Sequence, residues 1–201
     1  MARSNVSEFL QTIGQGVKPN MFLIDMQYPA ALSKEGEDQN LSNLLCKSAA
    51  LPGSNLGVIE VPFRGRTVKI AGDRTFDTWT ATFFNDKDFK LRSFFEQWAN
   101  SINTHEGNTS PLFTPNNSDG YMADLGVKQL EKDSTTNGNV IREYKLHHAF
   151  PSAVSQIDLA YDSNDQVSEF TVEFQLSYWT ALSGDAAGSN PPNVQEVVTV
   201  A

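Results

Sequence analysis

From Glu169 to Tyr178 the chain alternates without a fault. Phe170, Val172, Phe174, Leu176 and Tyr178 fall on one side, and Glu169, Thr171, Glu173, Gln175 and Ser177 on the other. Successive side chains of a strand point to opposite faces, so this run predicts a strand with one dry and one wet face. Parallel sheets are covered on both faces, whereas antiparallel sheets commonly keep one face in water. This strand therefore commits the chain to antiparallel pairing with apolar cover on one side only.

Other segments repeat the pattern. Residues 21–29 alternate Phe22, Ile24, Met26 and Tyr28 against Leu23, Asp25 and Gln27, and Pro29 closes the run. Leu44–Ala50 reads as a strand stopped by Leu51-Pro52-Gly53. Residues 57–72 read as a hairpin with its tip at Arg64-Gly65, and Pro62, which cannot donate to a ladder, belongs near the tip or on an edge. Thr75–Phe84 alternates again, and further strands are predicted at Val140–Phe150, Ile157–Tyr161 and, after a turn at Asp162–Asp165, residues 166–179.

Two segments carry a helical period instead. Val6, Phe9, Leu10 and Ile13 predict a short N-terminal helix capped by Ser4 and ended by Gly14 and Gly16. Between Lys87 and Ile102, Leu91, Phe94, Phe95, Trp98 and Ile102 recur every three or four residues, with Asn85 or Asp86 placed to accept from the first turn. Trp79, Phe83, Phe94, Phe95 and Trp98 are the predicted core, the helix plugging a sheet. Residues 30–43 and 103–139 read as exposed loops, and residues 180–201, rich in Gly, Pro and Ser, as a flexible extension of a domain spanning 1–179. At 201 residues there is room for about one domain. The expected fold is mainly β: an antiparallel sandwich or barrel with one packed α-helix and a short N-terminal helix.

Charge narrows the function. Lys plus Arg number 15 and Asp plus Glu 24, a net charge of −9. Proteins that grip nucleic acid neutralise phosphate with clustered Lys and Arg, and this balance argues against one. Residues 146–201 hold Asp158, Asp162, Asp165, Glu169, Glu173, Asp185 and Glu196 and no Lys or Arg, so −7 of the −9 lies there. That run reads either as a solvated face or as a surface built not to hold a polyanion.

Chemistry is sparse. The lone Cys46 can form no intramolecular disulfide and suits a small buried hydrophobe. His105 sits in a loop, and neighbours His147 and His148, if on a regular strand, would point to opposite faces and not share a metal. Asp73, Asp77, Asp86 and Asp88 lack the spacing of a calcium loop. Gly14 and Gly16 follow a helix where a dinucleotide fingerprint follows a strand. No catalytic residue, metal site or cofactor is expected. The N-terminus lacks the apolar core of a signal peptide, and no apolar run approaches the ~20 residues of a membrane span, so a soluble, unanchored cytoplasmic product is expected.

Two stretches are more specific. KIAGDRTFDTWTATFFND (69–86) leads into the aromatic helix ending FFEQW, and IDLAYDSNDQVSEFTVEFQLSYW spans 157–179. Together they closely resemble the tail tube proteins of contractile-tailed, myovirus-type phages. In that family an A-G-D-R-T-F-D-x-W-x-x-x-x-x-N-D segment precedes the helix, and a D-S-N-x-x-x-x-F-x-V-x-x-x-x-Y-W hairpin closes the domain. Weaker agreement at Asn20–Phe22 and Lys47–Pro52 extends the resemblance over most of 18–102 and 140–179. The loops 30–43 and 103–139 and the tail after Trp179 depart from it.

The resemblance implies a fold shared with tubes of the type VI secretion system, hexameric rings stacked into a tube, and a channel for genome delivery into the host. Implied partners are further copies of the chain, the sheath, the baseplate or hub, the tail terminator, and the tape measure protein and then DNA in the lumen. The implied location is the virion tail, with assembly in host cytoplasm. It also implies a ring-stacking loop, assigned here to Leu51, Pro52, Leu56, Val58 and Ile59. Gly72 is expected to permit a tight turn, with Asp73 and Arg74 paired there or across a subunit boundary. Glu169 and Glu173 are expected to face the lumen, since a DNA conduit should repel phosphate. A tailocin or type VI-like tube is the alternative in the same architecture, and a monomeric ligand-binding β-sandwich the alternative outside it.

Overall fold

The computed structural model describes residues 5–14, 16–29, 32, 39–112, 120–131 and 140–183. In chain order the elements are α1 (Val6–Ile13), β1 (Phe22–Met26), α2 (Gln39–Leu45), β2 (Cys46–Ala49), β3 (Ser54–Phe63), β4 (Arg66–Phe76), β5 (Trp79–Phe84), α3 (Lys90–Ile102), β6 (Ala123–Leu130), β7 (Val140–Val154), β8 (Glu169–Gln175) and β9 (Tyr178–Ser183). All pairings among them are antiparallel. The order β1-β6-β7-β8-β5-β2 forms the body, β9 flanks β7, and β3-β4 stand apart as a two-stranded ribbon.

Strand β7 serves two half-sheets. Its first part, Val140–Ala149, pairs with β6, and Arg142–His147 also pair with β9. Its last part, Phe150–Val154, pairs with β8. Between them His148 adopts a left-handed φ of 54°, a conformation uncommon outside Gly, Asn and Asp, and the strand crosses from one half to the other there.

The core lies inside this bent sheet. Ile24, Met26, Leu125, Val127 and Leu146 enter from one half, and Trp79, Ala81, Phe83, Phe170, Val172 and Phe174 from the other, all buried. Helix α3 closes the space with Leu91, Phe94, Phe95 and Trp98. Phe95 sits with its ring centroid 5.4 Å from Phe83, 6.2 Å from Phe170 and 5.9 Å from Phe174, in tilted or edge-on geometries that suit aromatic quadrupoles. The Trp98 indole N–H donates to the Tyr121 carbonyl at 2.8 Å, so the ring is buried without an orphaned donor. Asp86 Oδ2 accepts from the Lys90 backbone N–H at 3.1 Å at the start of α3, the role expected of it.

Several elements differ from expectation. Residues 103–139 contain β6, an internal strand with Ala123, Leu125 and Val127 buried, where the sequence reads as a loop. The polar residues on either side swamp its short alternation. The loop at 30–43 gives way to α2, which runs to Leu45 and shortens the strand expected at 44–50 to Cys46–Ala49. Ile157–Tyr161 is not a strand but a connection that turns at Tyr161–Asp162. Residues 75–84 and 166–179 each read as one strand, yet each is broken, at Asp77–Thr78 and at Leu176–Ser177, where the chain passes to a new partner. Strand β9 continues through Ser183; residues 184–201 and Ser4 lie outside the described residues. No helix among the described residues is long and apolar enough to cross a membrane.

Because Phe95 touches rings from two strands and its own helix, truncating it leaves a cavity that a sheet-bound wall cannot refill. Phe95→Ala is expected to cost about 3–5 kcal/mol in urea unfolding of the dilute subunit. A loss under about 1 kcal/mol would show that the helix is not the plug of the core.

Candidate assembly surfaces

The ribbon β3-β4 begins at a fixed root. The Trp79 indole N–H donates to the Ala50 carbonyl at 2.6 Å, and the Trp179 N–H to the Gly53 carbonyl at 2.9 Å. Phe76 meets Trp179 edge-on at 6.4 Å, and Asn55 donates to both oxygens of Asp77, at 3.0 and 2.8 Å. Trp79 lies in the core, so the arm is fastened to the most rigid part of the molecule.

Beyond the root the arm pairs only with itself. Ten residues of β3 at about 3.3 Å each reach roughly 33 Å. The register places Ile59 opposite Ile70, Val61 opposite Val68 and Phe63 opposite Arg66. Side chains opposite each other share a face, so these residues form one apolar stripe. The other face carries Val58 and Pro62, with Glu60 and Lys69 paired at 3.5 Å. Ile59, Val61, Phe63, Val68 and Ile70 are all exposed. An isolated two-stranded hairpin is marginal in water, and an uncovered apolar stripe along it marks a surface that another molecule covers. At the tip Arg64 and Gly65 both have positive φ, 45° and 77°, the signature of a two-residue turn that matches strand twist.

Gly72 takes no part in a turn, contrary to expectation. It lies within β4, where the register shifts between Leu56 and Val58. A Cβ on Gly72 would stand 3.2 Å from the Gly57 carbonyl carbon and 3.3 Å from Ile59, so the two glycines are needed for close backbone approach at an irregularity. Asp73 and Arg74 follow on the same strand. Among the described residues neither forms an ion pair, and strand neighbours point apart, so the local-turn version of their pairing is absent. Of the stacking candidates, Leu51, Leu56, Val58 and Ile59 are exposed and Pro52 is partly covered near the root.

A second uncovered element is α1. Val6, Phe9, Leu10 and Ile13 make one apolar face, and no residue of the helix is buried. A helix of eight residues does not hold itself together in water. The sequence pattern showed the helix but not that its apolar face would stand exposed.

On the outward face of β8 the two candidate acids differ. Glu169 is paired with Lys47 of β2. Glu173 has no ion pair among the described residues, and between them Thr171 meets Thr82 at 3.1 Å. The face is thus nearly neutral at one end and anionic at the other.

The remaining reactive groups are structural. His147 and His148 do not point apart as a regular strand would require. The left-handed His148 brings both rings around Tyr178, stacked at 4.6 Å and edge-on at 5.9 Å. Burial lowers the His147 pKa, against the pull of Asp124 at 3.6 Å. Burial also pushes the Cys46 thiol up to about 11, which leaves almost no thiolate at neutral pH. No group of three or more metal-ligating side chains occurs among the described residues.

The architecture, a bent antiparallel sheet plugged by one helix and bearing a long hairpin, defines a fold class shared with chains of contractile injection systems. A chain of the sheath–tube complex of an extracellular contractile injection system, PVC, superposes with a TM-score of 0.57 over 90% of this chain and 99% of its own, at 12% identity. A chain of the anti-feeding prophage baseplate superposes at 0.53 over 81% and 93%, at 14% identity. Within that class, residues 17–182 match the phage tail tube protein family, and the chain belongs to it. The tail tube protein gp19 of Enterobacteria phage T4 is 32% identical over 166 residues, 83% of this chain and 92% of its own. The tail tube protein of Serratia phage KSP90 is 26% identical over 183 residues, 90% and 97%.

Trp179→Phe keeps the ring and removes the donor to Gly53. It is expected to cost about 1 kcal/mol and to raise amide exchange at the arm root, in residues 53–56, more than in β6. Uniform exchange across both would show that the indole does not fasten the arm.

Proposed function

We propose that the chain builds the inner tube of a contractile phage tail, in hexameric rings stacked on a common axis around a channel that carries the genome. The observation that carries this reading is the arm: a rooted ribbon about 33 Å long with an exposed apolar stripe that no described residue of its own subunit covers. Family membership supports further copies of the chain as what covers it. Leu51, Pro52, Leu56, Val58 and Ile59 then serve ring stacking. Asp73 and Arg74, without an ion pair among the described residues, supply charged contacts across a subunit boundary. The exposed face of α1 is covered in the same assembly.

The wider partners follow from the same reading. The sheath surrounds the tube, the baseplate and terminator hold its ends, and the tape measure protein and then DNA occupy the lumen. The named complexes of structural relatives, a sheath–tube complex, a baseplate and a tube-terminating cap, support the first three. The product works in the virion tail and is assembled in host cytoplasm. Its role is structural rather than enzymatic.

The outward face of β8 is the proposed channel wall. A polyanion moves fastest past a wall that does not bind it, and each basic ring would hold phosphate through counterion release. Lys47 offsets Glu169, which leaves Glu173 as the repelling charge of that face.

Two variants test this. Leu56→Asp with Ile59→Asp changes only exposed side chains, so rings are expected to persist while tubes fail to lengthen in negative-stain images. Tubes of unchanged length would remove the arm from stacking. Phage carrying Glu173→Lys is expected to build tails of normal length and eject DNA severalfold more slowly on triggering. Unchanged ejection kinetics would return the acidity to solubility alone.

A further inference from the structure

At the end of the body opposite the arm root lies an open cleft of about 1100 Å³. It forms where Lys47, Phe84 and Glu169 meet the connection between β7 and β8, residues 155–168. Phe84 pairs with Glu169, whereas Trp79, at the arm root, pairs with Phe174. The two sites therefore occupy opposite ends of the same strands, five residues or about 17 Å apart. No arm residue lines the cleft.

The connection is unusual for a solvent-facing loop. Leu159 is 90% exposed, Tyr161 projects as fully into water, and Val167 is 67% exposed. Asp158, Asp162 and Asp165 alternate with them, and none has an ion pair among the described residues. The arm tip presents the converse. Phe63 is exposed, the Arg64 guanidinium lies 5.3 Å over its ring, and neither Arg64 nor Arg66 meets an acid among the described residues. One end of the subunit offers apolar side chains ringed by free cations, and the other offers apolar side chains ringed by free anions.

We propose that this cleft receives the arm tip of a second copy, with Phe63 against Leu159, Tyr161 and Val167 and with Arg64 and Arg66 facing Asp158 and Asp162. The proposal rests on the reading of the arm as a stacking element and names where it lands. Donor and seat are different patches of one subunit, so the contact is heterologous. Repeated along an axis it does not close, and it yields a filament of open length. Opposed charges at the two ends also penalise head-to-head stacking, in which cation meets cation and anion meets anion. The polarity of the tube is thereby set by the subunit itself.

A charge swap tests the landing site in the full-length protein. Arg64→Glu with Arg66→Glu, and separately Asp158→Lys with Asp162→Lys, are each expected to raise the concentration needed for tubes about tenfold while rings still form. Combining all four is expected to restore tubes to within about threefold of the original. If the arm pair blocks stacking and the loop pair does not, the arm stacks elsewhere and the cleft is not its seat. If neither pair matters, the cleft again falls, and the Leu56 and Ile59 substitutions decide the arm reading independently. Cross-linking gives a second readout. In tubes of Phe63→Cys with Leu159→Cys, oxidation is expected to join copies into a ladder on non-reducing gels, and the Cys46 thiol stays silent. Tubes without a ladder would overturn the proposal.

Discussion

The packing of α3 against β5 and β8 is the contact on which the rest of the subunit depends. Phe94, Phe95 and Trp98 turn a bent, one-sided sheet into a closed core. The strands so fixed end at the root, where Trp79 is at once a core residue and the donor that holds Ala50. Rigidity passes from the aromatic cluster to the base of the arm through Trp79, with Trp179 and the Asn55–Asp77 pair beside it. An arm on a loose base would lose its ordering entropy at every contact with a neighbour, and one fixed in advance loses far less. The subunit is thus prepared for assembly before it meets another copy.

That preparation leaves the isolated molecule with unresolved surfaces. The stripe on the ribbon, the face of α1 and the apolar loop before β8 all stand in water. A monomeric domain would hide or charge such surfaces, and this one instead places charge at the edges of each patch. The acidity reads differently in this light. Among the described residues it gathers at two places: Glu173, without an ion pair on the outward face of β8, and the loop before β8, where Asp158, Asp162 and Asp165 stand beside exposed Leu159, Tyr161 and Val167.

Much of this was legible in the residues. Alternation from Glu169 to Gln175 and the three-and-four spacing of Leu91, Phe94, Phe95 and Trp98 report packing that a window of ten residues already contains. The Arg64-Gly65 tip is visible because the turn chemistry is local. The failures share a different cause. Strand β6 is short and pairs with β1 and β7, far away in sequence, so nothing in its own neighbourhood distinguishes it from the polar chain around it. Gly72 looks like a turn until Gly57, 15 residues earlier, is found against it. His147 and His148 obey the strand rule only if the strand is regular, and it is not. The surfaces that matter for assembly were the hardest to read, because an exposed apolar residue carries no mark of what will cover it.

Strand β7 has a mechanical meaning as well. Most sandwiches hold their two sheets together by side-chain contact alone, and a pull that separates the sheets works against dispersion and water. Here one strand of fifteen residues runs from one half into the other, with the crossing at His148. A load entering one half reaches the other along covalent bonds, and the halves cannot part until the shared strand has been stripped from β8 on one side or from β6 and β9 on the other. Within the subunit, the weakest link under tension is a ladder of hydrogen bonds loaded together, not an interface that can be peeled.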